Sequence, residues 1–152
     1  MEPLVLKIDK WTFKVPRELF YIENDFWARI EGNVATVGIT SYMQSKLSDI
    51  IFVALPEIGA KIEQFGEAGN FESVKAVLDV ISPVSGTIKE VNHELQNQPD
   101  LANSDPYGKG WFFKVELSDF ESDKENLSDA KAYFTVMKKA VEKEHEKLKK
   151  GY

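Results

Sequence analysis

From Phe26 to Leu117 the sequence is a succession of short runs of β-branched and aromatic residues, each stopped within about six positions by glycine, proline or asparagine. A chain punctuated this often has no room for long helices there and must fold through short strands joined by tight turns. Phe26–Glu31 and Val34–Ile39 flank Gly32-Asn33 and read as a hairpin. Ser41, three residues before Gln44, forms a capping box for a short helix ending at about Leu47. The run Ile50–Leu55 reads as a strand buried on both sides and stopped by Pro56. From Gly69 to Val91 the pattern is strand, turn, strand, turn, strand, with Pro83 and Gly86 in the second turn. Asn92 is placed to cap one helical turn before Pro99, and the turn-rich Asn103–Gly110 leads into a strand at Trp111–Leu117.

The end of the chain changes period. From Ser128 onward Tyr133, Met137, Ala140, Val141 and Leu148 recur at helical spacing among many Lys and Glu residues. One long helix is expected, its first half packed on the body and its last turns solvated. The expected division is an N-terminal extension over 1–14, a main domain over 15–137 and a charged helical tail over 138–152. The two extensions are either docking elements or, for the tail, a helix stabilised by its own Glu and Lys pairs.

A chain of 152 residues suffices for one domain with a real core, and 43% hydrophobic and 12% aromatic content suits a folded protein. The net charge of -6 gives no footprint for phosphate backbones, so nucleic acid is excluded as a partner class. No apolar run approaches the roughly 20 residues that span a bilayer, and Met1–Lys14 alternates charged with apolar residues, unlike a signal peptide. A soluble, cytoplasmic protein without a membrane partner is expected. The absence of cysteine removes thiolate nucleophiles and thiolate metal sites, so redox chemistry must come from an added group.

The segment Gly69–Gly86 carries the chemistry. Two strands flank Val74-Lys75. A carrier lysine must project from a rigid, tight turn, where a modifying enzyme reaches it and an attached arm swings clear of the body. Acylating its amine removes the charge, so exposure there serves access and not ion pairing. By spacing alone, a lysine between two strands is more often a solvated loop residue.

The residues Glu72-Ser73-Val74-Lys75-Ala76, followed by Ser82-Pro83-Val84-Ser85-Gly86, resemble the lipoylation hairpin of the glycine cleavage system H protein family. The likeness extends in order and spacing from Val15 to Tyr133, through Val15–Tyr21, Ala35–Thr40, Ile50–Pro56 and Asn103–Trp111. The resemblance implies a mainly β fold, a barrel-sandwich hybrid of the lipoyl/biotinyl-carrier kind, with short peripheral helices and a C-terminal helix. It also implies lipoic acid amide-linked to Lys75 as the only cofactor, and a non-catalytic carrier that shuttles an aminomethyl group. The implied partners are glycine decarboxylase (P protein), aminomethyltransferase (T protein), dihydrolipoyl dehydrogenase (L protein) and a lipoate-attaching enzyme. The hard chemistry then belongs to cofactors and partners, which suits a chain without cysteine.

Three positions depart from the family pattern. Asp25 stands where the family carries the histidine of a His-x-Trp, a change expected to alter a partner surface, and Leu78 and Asn70 replace a small polar and an aliphatic residue near the arm. These departures keep open an alternative in the same class, an H-like lipoate-binding protein that carries sulfur in a heterodisulfide-reductase-like oxidation pathway. A biotin carrier would flank its lysine with methionines, whereas Val74 and Ala76 stand here. An unmodified scaffold is the alternative from a different class, and an autonomous enzyme lacks an evident nucleophile with an adjacent base. His93 and His145 read as solvated, with no second ligand at i+4, so no metal site is expected. Trp11, Trp27 and Trp111 read as core or edge aromatics of strands. Glu72 and Asp79 flank the hairpin, where they either steer a ligase or keep the turn soluble.

Overall fold

In the computed structural model, which describes residues 1–149, the chain opens with a hairpin of Leu4–Ile8 (β1) and Trp11–Val15 (β2). Phe20–Tyr21 (β3) leads into Phe26–Glu31 (β4) and Val34–Ile39 (β5), which turn at Gly32-Asn33 with Gly32 at φ +61°. Ser41–Leu47 (α1) is followed by Ile50–Ala54 (β6), Lys61–Ile62 (β7), Glu67–Ser73 (β8), Val77–Ile81 (β9) and Gly86–Val91 (β10). Two single-turn helices, Glu94–Asn97 (α2) and Leu101–Ser104 (α3), precede Phe113–Leu117 (β11). Phe120–Lys124 (α4) and the long Ala130–Lys149 (α5) end the described chain.

Two antiparallel sheets enclose the main core: a six-stranded one in the order β3-β4-β5-β11-β10-β7 and a three-stranded one in the order β6-β8-β9. Ala28, Val37 and Val115 of the larger sheet meet Val53, Phe71 and Val80 of the smaller. Phe71 lies edge-on to Phe26 at 6.4 Å and to Phe112 at 5.6 Å, so three fully buried rings join the sheets. A second cluster lies under α5, where Tyr133, Met137 and Val141 cover Phe13, Val15 and Tyr21. Tyr21 stacks on Tyr133 with centroids 4.6 Å apart. The mainly β architecture with short helices and a C-terminal helix is therefore present, and the first half of the helix packs while Leu148 near its end is exposed.

Local expectations are corrected in several places. The cap of α1 is Thr40, whose hydroxyl accepts from the Met43 amide at 3.1 Å; Ser41 instead bonds the backbone of Lys14, which ties β2 to the helix. The strand at Ile50 is not buried on both sides and ends at Ala54. Its pairing with β8 jumps from Ile50↔Ser73 to Phe52↔Glu72, a bulge that turns Ile51 and Phe52 to solvent together. β11 begins at Phe113, leaving Trp111 outside the strand. His145 is not simply solvated: its Nδ1 lies 3.2 Å from the Asp9 carboxylate.

Candidate functional site

Lys75 stands at the tip of the β8–β9 hairpin, between Glu72↔Val77, the last paired residues. The Ser73 amide donates to the Ala76 carbonyl at 2.8 Å, which closes a tight turn around Val74 and Lys75. Ser73 itself is buried, and its hydroxyl oxygen accepts from the amides of Lys75 and Ala76, each at 3.1 Å. A serine oxygen shared in this way satisfies two turn donors that the strand ladder leaves over. On the other flank the Val74 amide donates to the Asp49 carbonyl at 3.1 Å, so the tip is pinned to the segment before β6. The backbone of the lysine is held on both sides while its side chain is exposed. Among the described residues no carboxylate lies within ion-pair distance of its amine.

The bulge in β6 shapes the surroundings. Phe52, Glu72 and Val77 form one cross-strand row, and with Ile51 and Val74 they leave an apolar rim beside the lysine, each of these four hydrophobic side chains about half exposed or more. Contiguous exposed apolar residues of this kind mark a surface that meets other molecules. Asp79 is exposed on the same hairpin and Glu72 half-buried.

Behind the hairpin, α1 and α5 meet at a polar cluster. Tyr133 donates to Asp25 at 2.6 Å, Lys46 pairs with the other oxygen of Asp25 at 2.9 Å, and Thr40 Oγ1 lies 3.0 Å from the Tyr133 hydroxyl. Asp25 is thus buried, and its carboxylate is committed to Tyr133 and Lys46. Its φ of +70° is one that Asp tolerates better than most residues. Tyr42 donates to Glu144 at 2.7 Å; burial, reinforced by that carboxylate, pushes its phenol well above the ordinary value. This cluster escaped sequence reasoning because its members lie up to 108 positions apart.

His93 is exposed and His145 faces Asp9, and among the described residues no three His, Cys, Asp or Glu side chains converge on a common point. Among them also no helix is long and apolar enough to cross a membrane. Trp27 is fully buried and donates to the Ile39 carbonyl at 2.9 Å, as befits a core aromatic, whereas Trp11 is exposed on β2.

A family model described as glycine cleavage H-protein matches residues 19–140. The chain is 46% identical over 121 residues to the glycine cleavage system H protein of Marinobacter nauticus, which covers 79% of this chain and 92% of that protein. It is 49% identical over 106 residues to the protein of the same name from Rubrobacter xylanophilus, covering 70% and 84% respectively. Among solved structures, a glycine cleavage system H protein from Mycobacterium marinum superposes with a TM-score of 0.69 at 34% identity, covering 78% of this chain and 95% of that one. These relatives all bear the glycine-cleavage name, and none of them lends support to the sulfur-carrying alternative.

Proposed function

The chain belongs to the glycine cleavage H-protein family, and from that premise we propose that Lys75 is the residue to which lipoic acid is amide-linked. Its role is that of the lipoyl carrier of the glycine cleavage system. The observation that supports Lys75 is the doubly pinned turn: Ser73 and Asp49 fix the backbone while the amine stays exposed and unpaired among the described residues. Acylation there costs no ion pair and removes a charge beside the apolar rim of Ile51, Phe52, Val74 and Val77. The lysine fits the group.

When bound, lipoic acid supplies a dithiolane that accepts the aminomethyl group and can be reduced and reoxidised. The protein's own contribution is to hold Lys75 at a fixed point from which that arm reaches several active sites in turn. We assign those sites to glycine decarboxylase (P protein), aminomethyltransferase (T protein) and dihydrolipoyl dehydrogenase (L protein), with a lipoate-attaching enzyme acting first. The carrier does none of this chemistry with its own side chains.

The test is peptide-mapped mass spectrometry of the protein from cells able to lipoylate, followed by aminomethyl loading from glycine with the decarboxylase. A lipoyl increment confined to the peptide containing Lys75, lost in Lys75→Arg, is expected. A bare Lys75, or an increment on another lysine, would overturn the assignment. Failure of fully lipoylated protein to load with a competent decarboxylase would count against aminomethyl as the cargo.

A further inference from the structure

Of the three amides at the hairpin tip, those of Lys75 and Ala76 both go to the Ser73 hydroxyl, whereas that of Val74 bonds outside the hairpin, to the Asp49 carbonyl. Asp49 lies in the three residues 48–50 that join α1 to β6. A connection this short has no strand ladder of its own to fix the direction of its carbonyls. Ser48 even adopts φ +59°, a left-handed conformation that serine does not favour.

What fixes it is a side chain from a distant part of the sequence. Asn103, half-buried on α3, accepts from the Ile50 amide at 2.9 Å through Oδ1 and donates from Nδ2 to the Ser48 carbonyl at 2.6 Å. The Ile50 N–H and the Asp49 C=O belong to one planar, trans peptide group and point opposite ways. Holding the N–H on Asn103 therefore aims the C=O at Val74. The Ser48 carbonyl belongs to the peptide on the other side of Asp49, so a single carboxamide holds both planes that flank this residue. Bonds at the two ends of one peptide also polarise it and strengthen each other. The relay starts from firm ground, since Ala102 of α3 is fully buried and Leu101 packs against the main core.

We infer that Asn103 is a positioning residue for lipoate attachment. Through the peptide joining Asp49 to Ile50 it sets where the hairpin tip, and with it the Lys75 amine, stands when the attaching enzyme arrives. Asn103 acts at one remove, on the Val74 side of the turn, while Ser73 holds the other side. This inference rests on Lys75 as the attachment point.

The experiment follows the relay bond by bond in the full-length protein. Replacing Val74 by its α-hydroxy acid turns its amide bond into an ester, which deletes the N–H and leaves every side chain in place. Asn103→Ala removes the other end of the relay. Each change should lower kcat/KM for lipoate attachment about tenfold, and both together no further than either alone. In the unsubstituted protein, a readout that needs no variant to fold, the Val74 and Ile50 amides should open to hydrogen exchange together, with protection factors within about twofold. Additive losses, an ester variant attached at the parent rate, or a Val74 amide that exchanges ten times faster than that of Ile50 would overturn the inference and give Asn103 a role in the fold alone. A lipoyl group found on Lys75 of the unsubstituted protein leaves the carrier assignment standing in each of those cases. Its absence from Lys75 in cells able to lipoylate overturns both.

Discussion

The hydroxyl of Tyr133 on the terminal helix donates to the buried carboxylate of Asp25, 2.6 Å away, and so ties α5 to the loop before β4. Asp25 also holds Lys46 at 2.9 Å, so one carboxylate joins α1 and α5. Tyr133→Phe leaves that oxygen without its buried donor and should cost about 1–2 kcal/mol. Asp25→Ala strips partners from both Tyr133 and Lys46 and should cost more, about 2–4 kcal/mol. Urea unfolding reads both as lower midpoints at an unchanged slope.

The tyrosines make alkaline stability a second test. Burial pushes the Tyr107 phenol up to about 12 and holds those of Tyr21, Tyr42 and Tyr133 well above their ordinary value. Above about pH 10 the unfolded chain releases these protons while the folded chain keeps them, so the unfolded state binds fewer protons and stability falls as pH rises. The stabilisation is whole below about pH 10 and declines beyond it by up to about 1.4 kcal/mol per pH unit for each tyrosine. Tyrosinate absorbance from these four should rise in one step with loss of near-ultraviolet circular dichroism. A gradual rise near pH 10 in folded protein would contradict it.

How much of this was legible in the sequence depends on the range of the interaction. The Gly32-Asn33 hairpin, the β8–β9 turn and the terminal helix are set by neighbours in the chain, and period and turn residues find them. The outward pair Ile51 and Phe52 was hidden because Ile50–Leu55 is apolar throughout. Which positions face water there is decided by a bulge against β8, and so by the partner strand. The commitment of Asp25 to Tyr133 and of Tyr42 to Glu144 was hidden for a related reason, since each joins residues more than a hundred positions apart. Lys75 lay between the two cases. Its turn was readable locally, but its meaning came from the residues around it matching a family.

Gly69 is a position where both backbone conformation and packing limit substitution. It sits at φ +90°, and a Cβ there would run into the Ala54 carbonyl of the neighbouring strand. Neither the conformation nor the approach suits a side chain. Gly69→Ala should lower stability by about 3 kcal/mol or more through the combined strain and clash, with β6 and β8 forced apart. Thermal unfolding checks it, and a melting temperature within a degree or two of the parent would show that the strand pair relaxes freely.

Ser73 offers the sharpest separation of site geometry from fold. Its hydroxyl is the shared acceptor for the Lys75 and Ala76 amides, and the turn itself is also closed by the Ser73 amide to the Ala76 carbonyl. Ser73→Ala should therefore leave the fold intact at a cost of about 1 kcal/mol while loosening the tip. Amide exchange should quicken at Lys75 and Ala76 and stay unchanged in β4 and β5. The rate of lipoate attachment should fall about tenfold, because the attaching enzyme then meets an amine whose backbone is no longer fixed. Ser73→Thr keeps an oxygen at the same position and should restore both measurements. Quickened exchange with undiminished attachment would show that the turn's rigidity serves stability alone and that the enzyme itself orders the lysine.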